Sequence, residues 1–482
     1  MVTKIKEFLF HNKSTAQTVA KNTFWLFSGK IVGQLTRASL VIFAARILGP
    51  ASWGAFSYVM SLSAFLLIFT DIGLTAIVTR ESSKDPLLSK KYFSTAFLFK
   101  IILLSLGSIF LIVAAPYISK INEAVALLPV IAIMLVFDSL RNFGFSISRS
   151  QQRMQMEALN EILTNLAIIG LGFFFLIYRP SSYNLAFAYL VGTMIGFSFT
   201  FFTLKKYFME AAHHFDNKII KSILSASIPF ALSSFLGAIM INTDLIMLGW
   251  LRSPEEVGFY SAAQKPIQLL YVAASLFATS LFPVLSRAVL EKTRFRLILE
   301  KGLAASLLIS IPMLMGGIIL GNQIIALLFG NDYSPAISAF KVLCLTLIIV
   351  FPSVIINNSL LAYNKQKNLI TYSLLGATGN VIFNFLFIPI WGIAGAALST
   401  VITQITANAF VWIKMNSINE FHIMGRIKKI IIASVVTAPL TMLFWSFDMN
   451  VVINIILTSI IYFSLLKIQG EELLGVLFRK QI

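Results

Sequence analysis

Apolar segments long enough to cross a lipid bilayer recur along almost the whole chain. A membrane-spanning helix needs ~20 apolar residues in a row. Fourteen runs approach or exceed that length, near residues 23–48, 54–79, 92–117, 123–147, 155–178, 183–204, 222–250, 257–285, 297–327, 335–362, 368–390, 391–413, 427–447 and 450–467. Since 57% of the 482 residues are hydrophobic and only 12% are charged, a soluble core cannot account for these runs. The sequence predicts an all-α integral membrane protein with about 14 transmembrane helices.

The positive charges are concentrated in alternate connections between these helices. If the amino terminus is cytoplasmic, the connections on the opposite side hold only Arg46, Lys120, Arg179 and Arg252 of the 38 Lys and Arg residues. Lysine and arginine accumulate in cytoplasmic loops of membrane proteins. We therefore expect both termini in the cytoplasm. The net charge of +18 then reflects membrane orientation, and we expect no nucleic-acid partner.

The first apolar run contains three strongly polar side chains. Lys30, Gln34 and Arg37 are spaced by four and then three residues, so they lie on one face of a helix. A charge at the centre of a membrane costs at least ~2.5 kcal/mol and normally faces a bundle interior or an aqueous cavity. This stripe is predicted to face inward and to bind an anionic substrate.

The turn that follows the first run has a partial repeat 204 residues later in the chain. Both turns place a proline, a glycine, an aromatic residue and a serine at matching positions: Pro50, Gly54, Phe56 and Ser57 in the first, Pro254, Gly258, Tyr260 and Ser261 in the second. Proline and glycine are common in any tight turn, which is one explanation. An internal repeat, as found in many transporters, is the explanation that we favour.

The repeat divides the chain into two pseudo-symmetric six-helix lobes around a central cavity. We predict an amino-terminal lobe over residues 1–206, a cytoplasmic linker over 207–221 and a second lobe over 222–420. Residues 421–482 would form two further helices and a cytoplasmic tail.

Two further groups of polar residues lie within the predicted helices. Lys265 and Gln268 in helix eight are predicted to face the stripe from the second lobe, although Lys265 at a helix end could instead extend to the membrane interface. Asp71 in helix two and Asp244 in helix seven are predicted either to pair with a cation or to bind a coupling proton or sodium ion.

Three other acidic residues are assigned structural roles. Asp138 and Arg141 are three residues apart on helix four and are expected to pair with each other. Glu157 and Glu161 are assigned to the solvated end of helix five.

The sequence lacks the common signs of an enzyme. It has no glycine-rich loop of the Walker type. Its four histidines, His11, His213, His214 and His422, show no metal-ligand spacing. No outward loop is large enough to hold a transferase site. We therefore expect a transporter with no cofactor and no metal.

Two segments resemble a known family. Residues 45–57, ARILGPASWGAFS, and residues 242–249 and 257–263, NTDLIMLG and VGFYSAA, are similar to the polysaccharide biosynthesis family of flippases. That family exports O-antigen and other oligosaccharide repeat units and belongs to a superfamily with multidrug extruders and lipid II flippases. The resemblance implies two six-helix bundles around a V-shaped cavity. It also implies a basic lumen, to which Lys30, Arg37 and Lys265 correspond by position.

The resemblance implies a function in surface polysaccharide synthesis. The chain would flip polyprenyl-pyrophosphate-linked oligosaccharide from the inner to the outer leaflet of the bacterial inner membrane by alternating access. Membrane lipids, a polysaccharide polymerase and glycosyltransferases would be its partners. Two alternatives stay open: a cation-coupled multidrug extruder of the same fold, and a membrane polymerase or transferase acting on lipid-linked sugars.

Overall fold

The computed structural model describes residues 15–211 and 213–473, and all regular elements in that part of the chain are helical. Twelve of the helices are long and apolar enough to cross a membrane. The helices are α1 (Thr15–Phe69), α2 (Leu74–Lys84), α3 (Ser89–Ile109), α4 (Ala115–Ile118), α5 (Asn122–Ser150), α6 (Met154–Tyr178), α7 (Ser182–Thr203), α8 (Lys205–Met209), α9 (Ile220–Leu251), α10 (Pro254–Ala288), α11 (Lys292–Phe329), α12 (Ala336–Ala362), α13 (Gln366–Ile418), α14 (Met424–Ser446) and α15 (Val451–Ile468).

Two of the longest helices are each broken by a glycine. In α1, Gly49 has φ 73° and ψ 171°, and Pro50 starts a second arm over 50–69. In α13, Gly392 has φ 54° and ψ −129°. A positive φ is accessible to glycine without steric cost, and proline is favoured in the first turn of a helix. Counting both arms of α1 and of α13, the twelve helices provide the predicted fourteen or so spans, which confirms the fold class.

The predicted second helix is discontinuous. It was expected to run over 54–79, but α1 ends at Phe69 and α2 begins at Leu74. Ile72 has φ 39° and Gly73 has φ 83°, so the intervening turn is left-handed. A Cβ added at Gly73 would lie 2.7 Å from Cβ of Phe230 in α9. The turn is therefore packed tightly against α9, and the placement of Asp71 inside a helix was wrong.

The contacts divide the chain into two compact units, and the division falls in the chain between Gly258 and Phe259. In the first unit, α1 packs against α6 and α9, and α5 packs against α7. A cluster of buried side chains joins α2, α3, α5 and α9, and includes Leu74, Ile77, Phe93, Phe143 and Ile223. The lobe boundary predicted at 207–221 concerns the internal repeat and stays a prediction.

The second arm of α1 lies along α9 and the first turn of α10, within the first unit. A Cβ at Gly54 would lie 1.9 Å from the carbonyl oxygen of Pro254, and a Cβ at Gly258 would lie 2.0 Å from that of Pro50. The two turns that resemble each other in sequence thus contact each other reciprocally. In the last turn of α9, Trp250 Nε1 donates to the Tyr58 hydroxyl at 3.0 Å.

In the second unit, α11 packs against α12 and α14, and α12 packs against α13. The last two helices are attached to α11 at two levels. The Tyr462 hydroxyl of α15 donates to the carbonyl of Leu308 at 2.9 Å. Glu300 of α11 accepts from Arg426 of α14 at 3.1 Å and from the backbone of His422 at 2.9 Å.

Candidate functional site

The polar stripe of the first helix lies in the first arm of α1. Lys30 belongs to this helix, but its side chain lies outside the described part of the structure. Gln34 and Arg37 are half-buried. Arg37 donates from Nε at 3.0 Å and from Nη2 at 2.7 Å to Oδ1 of Asn165 in α6. The guanidinium is therefore directed at a neighbouring helix of the bundle.

Asn165 is the partner that the sequence did not single out. It is only 3% exposed, and its Nδ2 donates to the carbonyl of Glu161, one turn earlier, at 2.8 Å. Gly33 of α1 provides the space, because a Cβ there would lie 2.5 Å from Nδ2 of Asn165. The sequence signal that could have identified Asn165 is an asparagine within an apolar membrane helix.

Arg141 of α5 is buried among carboxylates. It is 4% exposed and pairs with Asp138 at 2.8 Å and with Glu161 of α6 at 3.1 Å. The Asp138–Arg141 pair is confirmed. Glu161 was wrongly assigned to a solvated helix end, because α6 packs close enough to α5 for its carboxylate to reach Arg141.

Asp71 lies in the turn between α1 and α2. Its Oδ1 accepts from Lys100 of α3 at 2.8 Å and from the Thr75 hydroxyl at 2.6 Å. The side chain of Lys100 is 2% exposed, whereas that of Asp71 is 29% exposed. The cation is thus buried behind its carboxylate, as Arg141 is behind Asp138 and Glu161.

The other predicted site residues are placed as follows. Asp244 lies in α9 and is 1% exposed. Lys265 and Gln268 lie in α10, in the second unit, and both are half-buried. Neighbouring Gln264 is 7% exposed, and its Oε1 has no hydrogen-bond partner among the described residues. A meeting of Lys265 with Arg37 stays a prediction.

Charge compensation distinguishes Arg37 from Lys100 and Arg141. Lys100 and Arg141 are neutralised by carboxylates. Within the described residues Arg37 makes no ion pair, and its partner is a neutral amide. An amide satisfies N–H donors without cancelling the positive charge. Arg37 therefore keeps the charge and the unused donors that an anion requires.

The family of the chain follows from comparison with known proteins. A family model described as polysaccharide biosynthesis protein matches residues 19–289. The chain belongs to the polysaccharide biosynthesis protein family. A second family model, described as MatE, matches residues 229–386.

Curated relatives of this family member span most of its length. It is 24% identical over 402 residues to capsular polysaccharide biosynthesis protein CapF of Staphylococcus aureus, covering 81% of this chain and 97% of that protein. It is 23% identical over 393 residues to the probable low-salt glycan biosynthesis flippase Agl15 of Haloferax volcanii, covering 80% and 81%. Over 399 residues it is 21% identical to a putative O-antigen transporter of Shigella flexneri, covering 79% and 94%.

Solved structures show the same fold. The lipid II flippase MurJ in an inward closed conformation superposes with a TM-score of 0.74 at 21% identity, covering 94% of this chain and 99% of that chain. An inward-facing multidrug resistance transporter of the MATE family superposes with a TM-score of 0.67 at 16% identity, covering 80% and 95%. Family and fold together make the chain a multi-pass membrane transporter.

Proposed function

We propose that the protein flips polyprenyl-pyrophosphate-linked oligosaccharide from the inner to the outer leaflet of the bacterial inner membrane by alternating access, for surface polysaccharide synthesis. The observation that carries this proposal is Arg37, a guanidinium within the membrane helices that pairs with no carboxylate of residues 15–211 and 213–473. The names of the capsular, glycan and O-antigen relatives support the substrate class.

The chemistry of the cargo requires such a group. A pyrophosphate with attached sugars cannot cross hydrocarbon unaided, because bare charge and unsatisfied hydroxyls are expensive there. A guanidinium binds phosphate oxygens with paired hydrogen bonds and keeps its charge at any physiological pH. We assign substrate binding to Lys30, Gln34 and Arg37 of α1 and to Lys265 and Gln268 of α10. The lipid chain would stay in the bilayer.

Asp71 and Asp244 are assigned to ion pairing or to coupling. The pair that Asp71 forms with Lys100 supports the first role. An inside-negative potential would also favour outward movement of an anion, by ~2.3 kcal/mol per charge per 100 mV if the charge crosses the whole field.

The proposed architecture follows the internal repeat. Two six-helix lobes, residues 1–206 and 222–420, would surround the cavity, with a linker over 207–221 and two additional helices after residue 420. We place both termini in the cytoplasm. A tag at either terminus should resist labelling in intact cells, and labelling from outside would refute this orientation. Membrane lipids, a polysaccharide polymerase and glycosyltransferases are the proposed partners.

Substitution of Arg37 tests the function. In a deletion strain, Arg37→Ala should fail to restore surface polysaccharide while the variant accumulates normally in the membrane, and lipid-linked repeat units should collect on the inner leaflet. Arg37→Lys keeps the charge but loses the paired geometry, so it should restore part of the export. Arg179→Ala, in an exposed turn, is the control and should export normally. Normal export by Arg37→Ala would refute the proposal.

A multidrug extruder of the same fold is the second candidate, and the MatE match to residues 229–386 favours it. Such a pump should bind cationic drugs, for which Arg37 is unsuited. Drug hypersensitivity of the deletion strain with unchanged polysaccharide would select this candidate. Accumulation of single repeat units on the outer leaflet would instead indicate a polymerase or transferase.

A further inference from the structure

We propose that Asn165 is a positioning residue, which holds the Arg37 guanidinium ready for the transported anion without cancelling its charge. This inference rests on the proposed function, since it assigns Arg37 to the anion. The fold buries Asn165, which is 3% exposed, at the contact between α1 and α6.

The hydrogen bonds define the orientation of the amide. Nδ2 of Asn165 donates to the carbonyl of Glu161 at 2.8 Å. Because a carbonyl only accepts, this bond fixes which end of the amide is nitrogen, and Oδ1 must then face Arg37. Nε and Nη2 of Arg37 converge on that single oxygen. A guanidinium has five N–H donors, so those that Asn165 leaves unused are available to an anion.

The neighbouring cations show what a carboxylate at this place would do. Lys100 and Arg141 are each paired with carboxylates and buried behind them. A carboxylate at position 165 would have nearly the same shape as the amide and would accept the same two hydrogen bonds from Arg37. It could not donate to the Glu161 carbonyl as Nδ2 does, and it would neutralise Arg37. An amide at position 165 therefore preserves the positive charge of Arg37, whereas a carboxylate would neutralise it.

Gly33 contributes to the same arrangement from the opposite helix. It precedes Arg37 by one helical turn, and its missing Cβ leaves the space that Nδ2 of Asn165 occupies. An alanine there would place Cβ only 2.5 Å from that nitrogen. The amide would have to move, and its bonds to Arg37 would change. Gly33→Ala should thus reproduce part of the effect of losing Asn165.

The test uses the full-length protein in lipid nanodiscs, with undecaprenyl pyrophosphate as the probe. We expect Asn165→Asp to weaken binding of this probe about tenfold at pH 7.5, equivalent to ~1.4 kcal/mol. As the pH is lowered and the introduced carboxyl group takes up a proton, the affinity of the variant relative to wild type should recover. Protonation would also restore a donor to the Glu161 carbonyl, so the loss is assigned to charge only if the thermal stability of the variant at pH 7.5 equals that of wild type. Asn184→Asp, which makes the same charge change in the first turn of α7, should bind as wild type does.

The outcomes separate this inference from the proposed function. If Arg37→Ala abolishes probe binding but Asn165→Asp binds as wild type does, the role of Asn165 is refuted and the anion site stands. If Arg37→Ala also binds normally, the anion site itself is refuted. Weakened binding by Asn165→Asp that does not recover in acid, in a variant of normal thermal stability, would likewise overturn the charge-preserving role.

Discussion

Reciprocal contact between two glycines predicts a specific response to adding one methyl group. A Cβ at Gly54 would lie 1.9 Å from the carbonyl oxygen of Pro254 and 2.8 Å from the backbone nitrogen of Gly258. Ordinary van der Waals contact begins near 3.4 Å, so the first distance falls about 1.5 Å short. Both opposing atoms belong to the backbone, so no side chain can rotate to make room. The two turns must separate.

The expected cost can be estimated from two opposing effects. Forcing an extra methyl group into a tightly packed contact typically costs ~1–3 kcal/mol, whereas replacing glycine by alanine within a helix gains up to ~1 kcal/mol. Because the approach of 1.9 Å to a backbone oxygen places the cost at the upper end of its range, we expect Gly54→Ala to destabilise the protein by ~2 kcal/mol. Gly258→Ala should do the same, because its Cβ would lie 2.0 Å from the Pro50 carbonyl oxygen.

The double variant gives the sharper result. Once one methyl group has separated the turns, the second enters space that is already open. Its cost should be smaller, so the two effects should combine to less than their sum. Thermal unfolding of the purified variants in one detergent measures this coupling. The matched control is Gly237→Ala in α9, where an added Cβ has nothing within 4 Å.

Three outcomes would refute this reasoning. Gly54→Ala could prove as stable as wild type, the two substitutions could add fully, or Gly237→Ala could destabilise equally. The first would show that the turns are not in backbone contact, and the second that the two glycines do not share one contact. The third would show that any alanine in these membrane helices has the same effect.

Further predictions concern the helix break and an exposed ion pair. Asp71→Asn leaves the buried Lys100 without its carboxylate, and it should destabilise the protein by ~3–5 kcal/mol, seen as reduced membrane accumulation; normal accumulation would contradict the pairing. Gly73→Ala combines a φ of 83° with a 2.7 Å approach to α9 and should lower thermal stability by ~1–3 kcal/mol, whereas Gly170→Ala should not. A hydrogen bond from Lys90 lowers the pKa of Glu210, so this pair should persist at neutral pH and be lost as the pH falls through that lowered pKa. Limited proteolysis after α8 should then increase in acid, and in Lys90→Ala it should already be increased at neutral pH.

Much of the fold could be predicted because hydropathy is local. Each apolar run can be read from its own residues, and the glycines that break α1 and α13 lie within two residues of a predicted run boundary. The break between α1 and α2 escaped prediction because the hydropathy of the segment continues through it. That turn packs against Phe230 of α9, which follows Gly73 by more than 150 residues.

The candidate site was predictable only in part for the same reason. Arg37 was evident, because a charge within an apolar helix is rare. Its partner Asn165 is 128 residues away in the chain, and nothing in the local pattern connects the two. Glu161 was assigned to a helix end because its reach to Arg141 depends on how α5 and α6 pack. The hydropathy pattern shows which charged residues lie within apolar helices. Tertiary packing determines which of them are neutralised by an opposite charge.

That difference in neutralisation predicts one phenotype for Lys100 and Arg141 and another for Arg37. Removing Lys100 or Arg141 leaves carboxylates unpaired, so their loss should act first on stability. Removing Arg37 leaves the neutral amide oxygen of Asn165 without the hydrogen bonds from Arg37, which costs only ~1–3 kcal/mol. The loss of Arg37 should therefore act first on transport. Thermal stability and export measured on the same set of variants would therefore place Arg37 apart from the other two. If all three lost stability and export in proportion, Arg37 would be one more structural charge, and the anion would have to cross elsewhere.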